Sequence, residues 1–84
     1  MEIRIRLFAG IREAVGVSQE TLHADDVKTV GDVRLLLQKR GGAWADALAE
    51  GRAVRMACNH EMTGTEKLLT DGCEIAFFPP VTGG

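Results

Sequence analysis

Gly83 and Gly84 close the sequence behind Pro79-Pro80-Val81-Thr82, and a terminal glycine carboxylate is its best prospect for chemistry. A carboxylate is a poor electrophile. Once adenylated by ATP it becomes a mixed anhydride that sulfur or an amine can attack. Glycine suits this because no β-carbon hinders the carbonyl. The two prolines remove two backbone donors and hold the chain extended, so residues 79–84 can join neither a sheet nor a helix. Fully extended, such a segment reaches about 20 Å. The product is a thin arm shaped to pass through a narrow opening.

The other reactive side chains offer less. Cys58 and Cys73 sit among apolar strand residues, with no CxxC spacing and no metal-ligand grouping, and read as small core residues. His23 falls in an edge strand and His60 in a turn, and neither has a second ligand or a catalytic neighbour at useful spacing. Gly10, Gly16, Gly41 and Gly42 match neither a P-loop nor a dinucleotide fingerprint and read as punctuation. No metal site is expected.

Eighty-four residues make one domain with a small core and no room to enclose a large substrate. That weighs against a self-sufficient enzyme. The net charge is −2, with acids and bases mixed along the chain. Without a basic stripe, and with three Phe, one Trp and no Tyr, the chain is a poor nucleic-acid binder. No apolar run approaches a membrane span, and Met1-Glu2-Ile3-Arg4 is unlike a signal peptide. The cytosol is the expected compartment, where the two thiols would stay reduced.

The arm must be held by elements that the periodicity outlines. Ile3, Ile5 and Leu7 alternate with Arg4, Arg6 and Phe8, the period of a half-buried strand. Residues 10–16 read as a short helical turn, and 19–24 as an edge strand. Thr29 opens the clearest helix, with Asp32 as the partner of a capping box and Val30, Val33, Leu36 and Leu37 as its stripe. Lys39 and Arg40 fall in its expected last turn, and Gly41-Gly42 is expected to end it. Trp44, Ala47 and Leu48 suggest a second short helix stopping at Gly51. Residues 53–58 read as a strand, Asn59-His60 as a turn, 61–63 as a stub and Asp71-Gly72 as a tight turn. The last strand, 73–78, puts Cys73, Ile75 and Phe77 on one face and Glu74, Ala76 and Phe78 on the other.

This order predicts an α+β roll, with a mixed sheet of four to five strands and one main helix on one face. The first and last strands of such a roll lie parallel at its centre. Phe8 and Phe78 then share the face without the helix, where with Ala76 they make an apolar patch for a partner protein. The domain is expected to span 1–78 and the tail 79–84.

The ending Ala76-Phe77-Phe78-Pro79-Pro80-Val81-Thr82-Gly83-Gly84 resembles the C-terminus of the molybdopterin synthase small subunit family, sulfur carriers of molybdenum cofactor biosynthesis. Leu7-Phe8-Ala9 with Arg12-Glu13 and Gly16, Ala57-Cys58-Asn59, and Leu69-Thr70-Asp71-Gly72 resemble further parts of that family, where valine is usual in place of Cys58. The resemblance covers the whole chain.

It implies a ubiquitin-like β-grasp. It also implies that an ATP-dependent, E1-like adenylating enzyme activates Gly84 and that cysteine-derived sulfur converts it to a thiocarboxylate. The carrier then docks on the large synthase subunit, two small on a dimer of large. It gives its sulfur to a cyclic pyranopterin monophosphate. Phe8, Met62 and Phe78 carry over as the docking surface, with Pro79, Pro80, Val81, Thr82 and Gly83 as tail contacts. No bound cofactor is implied, and the catalytic groups belong to the partners. Alternatives are a carrier for thiamin or tRNA thiolation, a ubiquitin-like modifier joined to lysines through Gly84, or an interaction domain with a passive tail.

Overall fold

A computed structural model describes residues 1–80. The alternation of its first residues builds strand β1 (Glu2–Leu7), whose Ile3, Ile5 and Leu7 are buried while the residues between them face outward. Helix α1 (Ala9–Val15), strand β2 (Gln19–His23), helices α2 (Val30–Gln38) and α3 (Gly42–Ala47), and strands β3 (Arg55–Cys58), β4 (Glu61–Thr63) and β5 (Glu74–Phe78) follow. The strands form one mixed sheet in the order β2-β1-β5-β3-β4. β1 and β5 run parallel, with Ile5 beside Ile75 and Leu7 beside Phe77. The other pairings are antiparallel. This is the ubiquitin-like β-grasp expected from the sequence.

One face of the sheet carries the core. Ile3, Ile5, Leu7, Ile75 and Phe77 meet Val30, Val33 and Leu37 of α2, with Ile11 from α1 and Leu48 after α3. Each such side chain, fully buried, contributes about 1.5–3 kcal/mol by leaving water. Cys58 and Cys73 are free thiols within this core.

Helix α2 begins as its capping sequence predicts. The Thr29 hydroxyl accepts from the Asp32 amide at 3.2 Å, and the Asp32 carboxylate accepts from the amides of Thr29 (3.1 Å) and Lys28 (2.9 Å). Those bonds hold the Asp32 carboxyl below its ordinary pKa. Gly31 lies against the loop that precedes β5. Its amide donates to the Thr65 carbonyl at 2.9 Å, and a β-carbon there would stand 2.9 Å from the Thr65 β-carbon.

The end of α2 differs from the sequence expectation. The helix caps at Lys39, and Gly41-Gly42 opens α3 instead of merely stopping α2. Arg40 leaves the helix axis. Its guanidinium pairs with Glu20 on β2 and lies 4.6 Å from the centre of the Trp44 ring. These side-chain contacts offer more than the dipole of a short helix. α3 also stops before Gly51, at Ala47, because buried Arg34 satisfies its end. Arg34 Nε donates to the Leu48 carbonyl (2.9 Å) and its Nη2 to that of Ala49 (2.7 Å). The third and fifth strands each begin one or two residues later than their sequence patterns suggest, at Arg55 and Glu74.

The turn at Asn59-His60 is a two-residue hairpin between β3 and β4, with both residues at positive φ (50° and 71°). A primed turn requires that geometry, and asparagine tolerates it well. Asn59 also extends the ladder to β5. Its amide donates to the Glu74 carbonyl at 2.8 Å, and its side-chain oxygen accepts from the Glu74 amide at 3.0 Å.

Candidate functional site

Residues paired in register share a face of a sheet, and alternation separates that face from the core. Arg6 pairs with Ala76, Ala76 with Ala57, and Ala57 with Met62. This row crosses the sheet on the side away from the helices. The next row toward the C-terminal end of β5 holds Phe78 with Arg55. Phe8 joins it, because its amide continues the parallel ladder to the Phe77 carbonyl at 3.2 Å.

Phe8 holds that place through the turn that follows. Its backbone is still extended (φ −124°, ψ 156°), and Ala9 then reverses the chain into α1 at φ 50°. A left-handed alanine costs about 1–2 kcal/mol. The sharp reversal keeps Phe8 on the open face while Ile11 returns to the core.

The Phe8 and Phe78 rings meet edge to face, centroids 6.5 Å apart and planes at 85°. The Arg6 guanidinium lies 5.3 Å from the Phe8 ring centre. Phe8 is 38% exposed and Met62 61%. With Ala76 and Ala57 between them, Phe8, Phe78 and Met62 form one apolar surface from the end of β1 across β5 and β3 to β4. An exposed apolar face of this kind marks a contact for another molecule.

The base of the tail continues the alternation. Phe77 points inward and Phe78 outward, and Pro79 borders a cleft of about 210 Å³ with Gly10, Ile11 and Ala14 of α1 and Val54 before β3. The arm therefore starts between the open face and the helical layer. Pro79 and Pro80 are both part-buried. Val81, Thr82, Gly83 and Gly84, where the sequence leads one to expect the reactive end, lie outside the described residues.

Among the described residues no three His, Cys, Asp or Glu side chains gather as a metal site. His60 is an exposed turn residue whose Nε2 lies 3.5 Å from Glu74 Oε2. Burial pushes the Cys58 thiol above its ordinary pKa, with Cys73 beside it adding to the shift. A thiol held protonated is a poor nucleophile. None of the described helices is long and apolar enough to cross a membrane.

The ThiS family model matches residues 5–84. The chain belongs to the ThiS family.

This ThiS-family chain is 42% identical over 82 residues to the molybdopterin synthase sulfur carrier subunit of Escherichia coli, covering 98% of this chain and 99% of that one. It is 36% identical over 92 residues to small archaeal modifier protein 3 of Haloferax volcanii, covering both chains fully. Its fold superposes on the solution structure of the Haloferax volcanii HVO 2177 protein with a TM-score of 0.79 and 33% identity, covering 100% of this chain and 87% of that chain.

Sequence alternation placed Phe8 and Phe78 of this ThiS-family chain on the open face, and the structure brings their rings together. Met62 entered by resemblance alone, and the β3–β4 register sets it on the same face. Arg6 was not singled out, although its position two residues before Phe8 was the available signal. Arg34 was also missed, since a charged residue inside an apolar helical stripe gives no hint of the carbonyls it will cap.

Proposed function

We propose that this chain is the sulfur-carrier subunit of a molybdopterin synthase, carrying sulfur on Gly84 and doing no catalysis alone. The observation that carries this reading is the 42% identity, over nearly the full length of both chains, to a protein of that name. The geometry supports it, because Phe78 is at once part of an exposed apolar face and the last residue before the tail. Docking through that face would commit the arm to the partner's active site.

The steps follow from the carboxylate. Gly84 attacks the α-phosphorus of ATP on the activating enzyme, and pyrophosphate leaves. Sulfide-level sulfur then displaces AMP to give the thiocarboxylate. On the large subunit that sulfur attacks an electrophilic carbon of the cyclic pyranopterin monophosphate and displaces an oxygen substituent, which leaves with a proton. Water cleaves the acyl–sulfur bond, leaving sulfur on the product and regenerating the carboxylate. Acids, bases and phosphate-binding groups come from the partners. The prolines limit the ordering entropy of the arm on entry.

The test is the intact mass of the chain after co-expression with its activating enzyme and a sulfur source. An oxygen-for-sulfur increase that disappears on deletion of Gly84, in a domain that stays folded, is expected. No mass change would sink the reading.

A second reading, a modifier joined to lysines through Gly84, is favoured by the full-length likeness to small archaeal modifier protein 3. Conjugates that survive reduction and denaturation on a gel would establish it, and their absence leaves the carrier.

A further inference from the structure

Resting on the docking face proposed above, we propose that Arg6 and Arg55 receive carboxylates of the docking protein and so select a partner whose contact surface is acidic. Register places the two guanidinium-bearing residues on either side of the aromatic pair. Arg6 reaches over Phe8, and Arg55 lies beside Phe78. Ion pairs among the described residues use the N-terminus, Arg40, Arg52 and His60, and none uses Arg4, Arg6 or Arg55.

Arg6 is the more telling of the two. Its Nε is fully enclosed and has no hydrogen-bond partner among the described residues. A buried donor normally finds one. The guanidinium is thus held by its ring contact, partly stripped of water, and without a counter-charge. Glu74 shares the face, but its carboxylate is turned to His60. Glu20 projects to the helix side, as the register partner of buried Ile5, and is taken by Arg40.

Beside Arg6 the sheet borders a polar groove of about 480 Å³, lined also by Arg4, Gln19 and Thr21 and by Glu20 and Glu74, whose carboxylates are paired with Arg40 and His60. In a chain of net charge −2, Arg4, Arg6 and Arg55 share the open face with the exposed apolar patch. An apolar centre with charged residues around it is the common plan of a protein interface. Charge at the rim sets partner choice and on-rate more than raw affinity. The fitting occupant is a protein surface whose aspartates or glutamates bracket an apolar contact.

The test is titration of the full chain against the molybdopterin synthase large subunit of the same organism, at two salt concentrations. Arg6→Met keeps a long stem over the Phe8 ring and removes the charge, and Arg55→Gln removes the second charge. The wild type should weaken as salt screens the pairs. Each variant should lose about tenfold at low salt, and the double variant should lose most of the salt dependence. Circular dichroism should show the fold unchanged. Tight binding that ignores both salt and the two substitutions, yet is lost in Phe78→Ser, overturns this inference and leaves the docking face standing. Absence of wild-type binding, or binding indifferent to Phe78→Ser, overturns both.

Discussion

The Phe8 and Phe78 rings touch edge to face at 6.5 Å, although they come from opposite ends of the chain. The contact exists because β1 and β5 run parallel and in register at the middle of the sheet. Two strands that end together deliver two aromatic rings to one place, and the tail starts from the second of them.

Phe78→Ala should therefore weaken binding to the large subunit by about 2 kcal/mol, the scale of a buried aromatic anchor. Phe8→Ala should do nearly as much. Phe8 is exposed and Phe78 is only half-buried, so folding should suffer less than binding. Urea denaturation and titration of the same variants separate the two effects.

Gly31→Ala should destabilise the domain by about 1–3 kcal/mol, because its new β-carbon would collide with Thr65. The loop that precedes β5 would have to move from the first turn of α2. Thermal unfolding reads this, and a midpoint equal to wild type would contradict the packing described.

Removing the buried guanidinium in Arg34→Met should cost about 1.5–3 kcal/mol, since it loosens the end of α3 and takes the charged donor from the Ala49 carbonyl, which keeps only the Arg52 amide. The carbonyl of Leu48 keeps the Gln38 amide. Chemical denaturation of the variant measures the loss.

Stability should fall in acid. Arg40 holds the Glu20 carboxyl below its ordinary pKa, and the backbone amides of Lys28 and Thr29 do the same for Asp32. The unfolded chain therefore takes up protons before the folded one does. The contribution of these two groups is fully present above about pH 4–5 and is lost as pH drops through the folded values. A denaturation series between neutral and acid pH should show the decline, and Arg40→Met should flatten the part owed to Glu20.

Cys58 and Cys73 should resist alkylation at neutral pH until the protein unfolds, because both are buried and burial raises the Cys58 pKa. Iodoacetamide labelling followed by mass spectrometry, with and without urea, checks this. Rapid labelling of the native chain would contradict the burial.

The sequence made the sheet legible where its signals were local. Alternation identified the inward faces of β1 and β5, and Thr29 with Asp32 gave the start of α2. The end of α2 was not legible, because Arg40 is drawn to Glu20 and Trp44, partners that only the folded chain supplies. Met62 lay in a strand of three residues, too short to show a period. Its face follows only once the hairpin at Asn59-His60 fixes the register to Ala57. The left-handed turn at Ala9, which aims Phe8, has no glycine to announce it.

The parallel pairing of β1 with β5 also bears on how the protein is made. β1 is synthesised well before its central neighbour β5, so the sheet closes only when residues 74–78 are available. Contacts of such high sequence separation are late and slow to form. On a growing polypeptide, β1 must wait beside an unfilled position, and Phe8 has no ring to meet. A product cut short before β5 would lack both the centre of its sheet and half of its aromatic pair.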